Sequence, residues 1–127
     1  MMNISNHSST KWSKEQLEAA GSEVIDIQFP NVNPQVTTEE LDDLAERVVR
    51  EVESYTSATM KYDGWKDKYV FHVMGEMTLS YLIVRMLQVS GFKVVASTTE
   101  RKVVEQPDGT KMSVFSFVQF REYPTYE

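Results

Sequence analysis

Lys68-Tyr69-Val70-Phe71-His72-Val73-Met74-Gly75-Glu76-Met77-Thr78 is the stretch on which the fold turns. Its first part is a nearly continuous apolar run, as expected of a central parallel strand covered on both faces. Gly75 breaks the run. Leu79, Leu82, Ile83, Met86 and Leu87 then line one face of a helix that Gly91 caps. Phe92-Lys93-Val94-Val95-Ala96-Ser97 reads as a further strand. Strand, helix and strand make a βαβ unit, whose crossover returns right-handed over one face of a parallel sheet.

The same alternation runs upstream. Residues 2–6 form a short strand weighted by Met2 and Ile4, and Asn6-His7-Ser8-Ser9-Thr10 is a polar loop. Ser13 and Gln16 have capping-box spacing, with Trp12 placed to staple onto Leu17. Glu23 to Phe29 alternates with period two, a strand that Pro30 stops. Thr37 and Glu40 make a second capping box, and Leu41, Leu44, Ala45, Val48, Val49 and Val52 give an amphipathic helix. Glu53 to Lys68 is polar and a candidate lid; within it Ser54 to Trp65 is expected to be a loop, the one plausible insertion. Downstream, Lys102 to Glu105 and Met112 to Phe120 flank Pro107-Asp108-Gly109-Thr110, a hairpin signal. The expectation is one α/β domain over residues 1–127, a Rossmann-like three-layer sandwich. Its sheet is mainly parallel (βαβαβαβ), with a C-terminal antiparallel β-hairpin at one edge.

The chain has 127 residues, 41% hydrophobic and 25% charged, which is the composition of a globular protein. It contains no cysteine, so disulfides and thiolate metal sites are excluded and a reducing, cytoplasmic setting is expected. Met1 to His7 has no basic region and no apolar run, so no cleaved signal is expected. Tyr81-Leu82-Ile83-Val84 is too short to span a membrane. A formal charge of −6 argues against coating DNA or RNA, yet leaves room for a small phosphate in a locally positive pocket. Two histidines among scattered carboxylates give no metal-ligand spacing, and no cofactor is expected.

Ligands of open parallel sheets bind outside the carboxyl ends of the strands. The loops expected there carry Asn6, His7, Ser8 and Ser9; Pro30 and Asn31; Gly75, Glu76, Met77 and Thr78; and Thr98, Thr99, Glu100 and Arg101. Gly75 would let backbone approach a ligand closely, with the following helix start presenting free N–H groups to an anion. Alternatively it only makes a tight turn that Thr78 caps. Arg101 offers a fork for phosphate, with Thr98 and Thr99 as hydroxyl partners, or it is a solvated charge. His7 suits proton transfer near neutral pH, or is solvated. His72 reads as a hydrogen-bonded core residue, and Glu23 and Asp26 as solvated. Phe115 and Phe117 point to one side of the hairpin, closing the core with Phe120 and Tyr123 or making a dimer surface.

Several stretches together resemble a known family. They are Asn3-Ile4-Ser5-Asn6-His7-Ser8-Ser9, Trp12-Ser13, Ile25-Asp26-Ile27-Gln28-Phe29-Pro30, His72-Val73-Met74-Gly75-Glu76-Met77-Thr78, Ala96-Ser97-Thr98-Thr99-Glu100-Arg101 and Phe117-Val118-Gln119-Phe120-Arg121-Glu122-Tyr123. Over Asn3 to Tyr123 the chain is similar to small CRISPR-linked accessory proteins resembling a stand-alone CARF domain, the CRISPR-associated Rossmann fold. The resemblance implies a homodimer that binds a cyclic oligoadenylate messenger across its interface, and in some members cleaves it without metal. His7 and Arg101 would then be catalytic; Asn6, Ser8, Ser9, Asn31, Gly75, Glu76, Met77, Thr78, Thr98 and Thr99 would bind. The basic residue that many CARF domains carry after this glycine is missing here, which would leave the phosphate to backbone, Thr78 and Arg101. A non-catalytic domain docking a protein through the aromatic hairpin is the alternative.

Overall fold

The computed structural model describes residues 1–21, 23–57 and 63–126. The elements run β1 (Met2–Ser5), a 3-10 turn (Ser9–Lys11), α1 (Lys14–Ala20), β2 (Ile25–Gln28), α2 (Thr38–Thr56), a second 3-10 turn (Trp65–Lys68), β3 (Val70–Met74), α3 (Met77–Val89), β4 (Lys93–Glu105) and β5 (Lys111–Glu122). They build a mixed α/β structure on one five-stranded sheet of order β2-β1-β3-β4-β5. β1 pairs in parallel with β2 and β3, β3 pairs in parallel with β4, and β5 runs antiparallel to β4.

The two sheet faces are chemically different, and the strand alternation explains why. Met2, Ile4, Ile27, Phe71, Val73 and Val94 point to one face, where they meet Leu41, Ala45, Val48 and Val52 of α2 and Leu79, Ile83 and Leu87 of α3. Phe71 is fully buried there, and its truncation to alanine would cost about 3–5 kcal/mol. Asn3, Asp26 and His72 sit one residue out of phase with that apolar set. They are register partners, Asn3 opposite both Asp26 and His72, so their side chains share the other face. Trp12, just before α1, covers this face with its ring 5.3 Å from His72 and 5.9 Å from Phe120.

Both expected helix starts form, with Gln16 N–H donating to Ser13 Oγ and Glu40 N–H to Thr37 Oγ1, each at 3.1 Å. Trp12 packs on His72 and Phe120, and Leu17 is left exposed. α2 continues through Thr56, three residues past the expected loss of pattern at Glu53. Much of the expected loop and lid, residues 58–62, lies outside the described residues.

The larger correction concerns β4. Thr98 to Arg101 was expected to be a loop between two strands; it is the middle of a single strand paired with β5. β-Branched side chains suit a pleated ladder, and β5 supplies its hydrogen bonds, so nothing forces a break. Consequently β5 alone is antiparallel. Thr98 pairs with Gln119 but Thr99 with Phe117, which makes Val118 an extra residue. That bulge turns Phe117 and Phe120 to the same face, 5.0 Å apart, where normal alternation would oppose them. The turn at Gln106–Thr110 forms with Gly109 at φ 85°, which L side chains rarely adopt.

Candidate functional site

A cleft of about 480 Å³ opens at the carboxyl ends of β1 and β3 and beside β4. Ser5, Asn6 and His7 enter from β1, Met74 and Gly75 from β3, and Ser97 and Thr99 from β4; Lys11, Trp12 and Gln16 form the outer wall, with His72 at the floor. Lys11 lines it and, among the described residues, no carboxylate does, although the whole chain carries −6.

Asn3 organises the floor. Its Nδ2 donates to the His7 carbonyl at 2.8 Å and to Asp26 Oδ1 at 2.9 Å. Its Oδ1 lies 2.7 Å from Ser5 Oγ and 2.9 Å from His72 Nδ1. Because the amide oxygen only accepts, this arrangement assigns the proton of His72 to Nδ1 and leaves a lone pair on Nε2. Nε2 sits 3.2 Å from Ser97 Oγ. Burial holds His72 down at about pKa 4, so the ring is neutral at pH 7.

Asp26 is more than the solvated carboxylate the alternation suggested. It accepts from Ser9 N–H at 3.0 Å, Ser9 Oγ at 2.9 Å, Ser8 Oγ at 3.3 Å and Asn3. Its burial opposes ionisation most strongly, but these donors outweigh it and hold its carboxyl below the ordinary range. Ser8 and Ser9, expected to face a ligand, thus turn back onto Asp26.

The expected anion site at α3 is occupied from within. Glu76 is the N-cap: its carboxylate accepts from Leu79 N–H at 2.8 Å and Thr78 N–H at 3.1 Å, with Thr78 Oγ1 at 2.7 Å. The amides that were to hold a phosphate already hold a carboxylate. Gly75 is needed for space, since a Cβ there would meet the Phe29 ring at 2.5 Å. Its φ is not positive, so the glycine is explained by packing of Phe29.

The cleft therefore unites Asn6, His7, Gly75 and Thr99 of the expected set. Met77 and Thr78 line a separate hollow with Val32 and Thr37, and Asn31 is exposed outside the cleft lining. Thr98 Oγ1 bonds the Gln119 carbonyl at 3.0 Å, and Arg101 reaches Ser113 Oγ at 2.8 Å along the ribbon. Neither lines the cleft. Sequence reasoning did not assign Lys11, Gln16 or Ser97 to it. The register match of Asn3 with His72 signals the floor, but only once the strand order is known.

Of the aromatic residues, Phe120 packs on His72 and Trp12, and Phe117 on Phe120. Tyr123 donates its hydroxyl to the Val73 carbonyl at 2.8 Å. Phe115 remains 67% exposed. Among the described residues no cluster of three potential ligands could hold a metal ion, and no helix is long and apolar enough to cross a membrane.

The family model of the uncharacterized protein MJ1673 family matches residues 1–121, and the chain belongs to that family. No curated protein and no solved structure matches it.

Proposed function

We propose that this protein is a cytoplasmic, Rossmann-like nucleotide-binding domain whose cleft takes the phosphate and base of a cyclic oligoadenylate messenger. The observation that carries the reading is the cleft's composition. Lys11 supplies a cation and no carboxylate is among the described lining residues, Trp12 gives an aromatic edge, and Asn6, Gln16, Ser97 and Thr99 give neutral donors and acceptors. Such a wall concentrates an anion on a protein that otherwise repels it. About 480 Å³ lies within the range of small-molecule sites, roughly 300–1,000 Å³. The carboxyl ends of parallel strands are where such sheets hold ligands.

With the α3 amides capped by Glu76, Lys11 takes the phosphate role first given to that turn and to Arg101. One cleft holds part of a cyclic messenger; a homodimer with facing clefts would hold the whole ring. The resemblance to CARF domains supports that assembly and a place in CRISPR defence.

The test is thermal stability against cyclic tri-, tetra- and hexa-adenylate, with AMP, ATP and NAD as controls. A ligand at about 100 times its dissociation constant adds roughly 2.7 kcal/mol. A shift with one ring size, lost in Lys11→Ala, is the expected result. No shift with any nucleotide would remove the reading.

A second reading rests on the ribbon of β4 and β5, where Phe115 (67% exposed) and Val103 (61%) share one face. There the protein would be a non-catalytic docking domain, and its cleft would bind none of the nucleotides.

A further inference from the structure

We propose that Ser97 is a nucleophile with His72 as its base, giving the cleft a covalent phosphoryl-transfer chemistry toward small phosphate esters. The inference rests on the polar row across the sheet and does not depend on the identity of a nucleotide ligand.

Ser97, His72 and Asn3 come from β4, β3 and β1, so their relative positions are set by strand register. Ser97 Oγ stands 3.2 Å from His72 Nε2, and His72 Nδ1 stands 2.9 Å from Asn3 Oδ1. Behind the amide, Asp26 fixes its orientation at 2.9 Å. A nucleophile, a base within reach and a third group that orients the base is the constellation of covalent catalysis, here with an asparagine as orienter. The ring is held in place, with Trp12 5.3 Å away at 83° and Phe120 5.5 Å away at 71°.

A merely structural hydrogen bond would leave Ser97 enclosed. Instead Ser97 is half-buried and lines the same cleft as Lys11. Ser97 Oγ also donates to Met74 Sδ at 2.9 Å, a weak acceptor against which the imidazole Nε2 is the stronger competitor for the hydroxyl proton.

The step balances within these groups and solvent. Ser97 Oγ attacks phosphorus, its proton passes to His72 Nε2, and the bond from phosphorus to the leaving alkoxide breaks. The alkoxide leaves in line, on the side of phosphorus away from His72, and takes its proton from solvent, while His72 keeps the proton of Ser97. Water entering from that side then cleaves the Oγ–P bond and gives its proton to solvent, and His72 returns its proton to Ser97 Oγ. Lys11 neutralises charge on the phosphoryl oxygens.

The probe is diisopropyl fluorophosphate, in which the Oγ–P bond forms as fluoride leaves. Adducts are located by peptide mass spectrometry on the folded protein and on the same protein in urea. The expected result is an adduct on Ser97 forming at least tenfold faster in the folded state, absent in Ser97→Ala and at least tenfold slower in His72→Gln. No adduct, an adduct on Ser8 or Ser9 instead, or an unchanged rate in folded His72→Gln would overturn the proposal. If His72→Gln does not fold, Ser97→Cys decides, because the chain has no other thiol. Its alkylation by iodoacetamide at pH 6 should exceed that of the unfolded chain at least tenfold, and equal rates would refute the pairing. The reagents carry no base, so failure here leaves the nucleotide reading standing, and the reverse also holds.

Discussion

Asn3 and His72 face each other across β1 and β3, with Oδ1 2.9 Å from Nδ1, and that contact ties the core of the sheet to the floor of the cleft. Asn3 is 1% exposed and His72 2%, so neither has water as an alternative partner. The amide is fully satisfied, with Ser5, His7 and Asp26 on its remaining positions.

Asn3→Ala should therefore be costly. It leaves Nδ1 of His72 buried without a partner and releases Asp26, and such orphaned groups cost about 1–3 kcal/mol. Denaturant titration of the variant should show that loss with an unchanged slope; a loss within about 0.5 kcal/mol would mean the network is incidental.

Acid should act through His72. Its folded pKa, about 4, lies below the ordinary 6.5, so the unfolded chain binds the proton more tightly. The contribution of His72 is then flat above pH 6.5 and falls as the pH drops from 6.5 toward 4, by roughly 3 kcal/mol across that window. The same titration curve for His72→Gln should lack this slope. Asp26, whose pKa is lowered, contributes its loss at lower pH, below its ordinary 3.8.

Glu76 has the carboxylate sign. Its capping bonds, that to Leu79 N–H foremost, hold the pKa below the ordinary value, so its stabilisation is present above about 4.5 and lost as pH falls through the folded pKa. Glu76→Gln should flatten the acid limb of the stability curve. In the wild-type protein sulfate should not bind at the α3 start, since Glu76 already occupies it.

Gly75→Ala tests packing against ligand approach. The new Cβ meets Phe29 at 2.5 Å, and overpacking of this kind costs about 1–3 kcal/mol. In a Phe29→Leu background the same substitution should cost less, and a double-mutant cycle measures the difference. Additive effects would mean the glycine serves something other than Phe29.

The helices and buried strands were legible because they depend on local pattern. The run to Met74, the i, i+3, i+4 spacing from Leu41 and the caps at Ser13 and Thr37 are each contained in a few neighbouring residues. What stayed hidden depends on pairing. Asp26, Asn3 and His72 are far apart in sequence and meet only through register, so each alone looked solvated, short or core. Thr98 to Arg101 resembled a loop because its partner strand lies beyond the turn at Gly109. The strand-end location of the cleft was inferable from topology, and Asn6, His7, Gly75 and Thr99 are among the residues that line it. Lys11 was missed because the 3-10 turn that carries it has no periodic signature.

The most direct test of the account is a two-dimensional amide and indole NMR spectrum of ¹⁵N-labelled protein titrated with cyclic tetra-adenylate. The prediction is that perturbed signals cluster on Asn6, His7, Lys11, the Trp12 indole, Ser97 and Thr99. Perturbations centred instead on the separate hollow that Met77, Tyr81 and Tyr126 line, along Val103 to Phe115, or nowhere at all would contradict it.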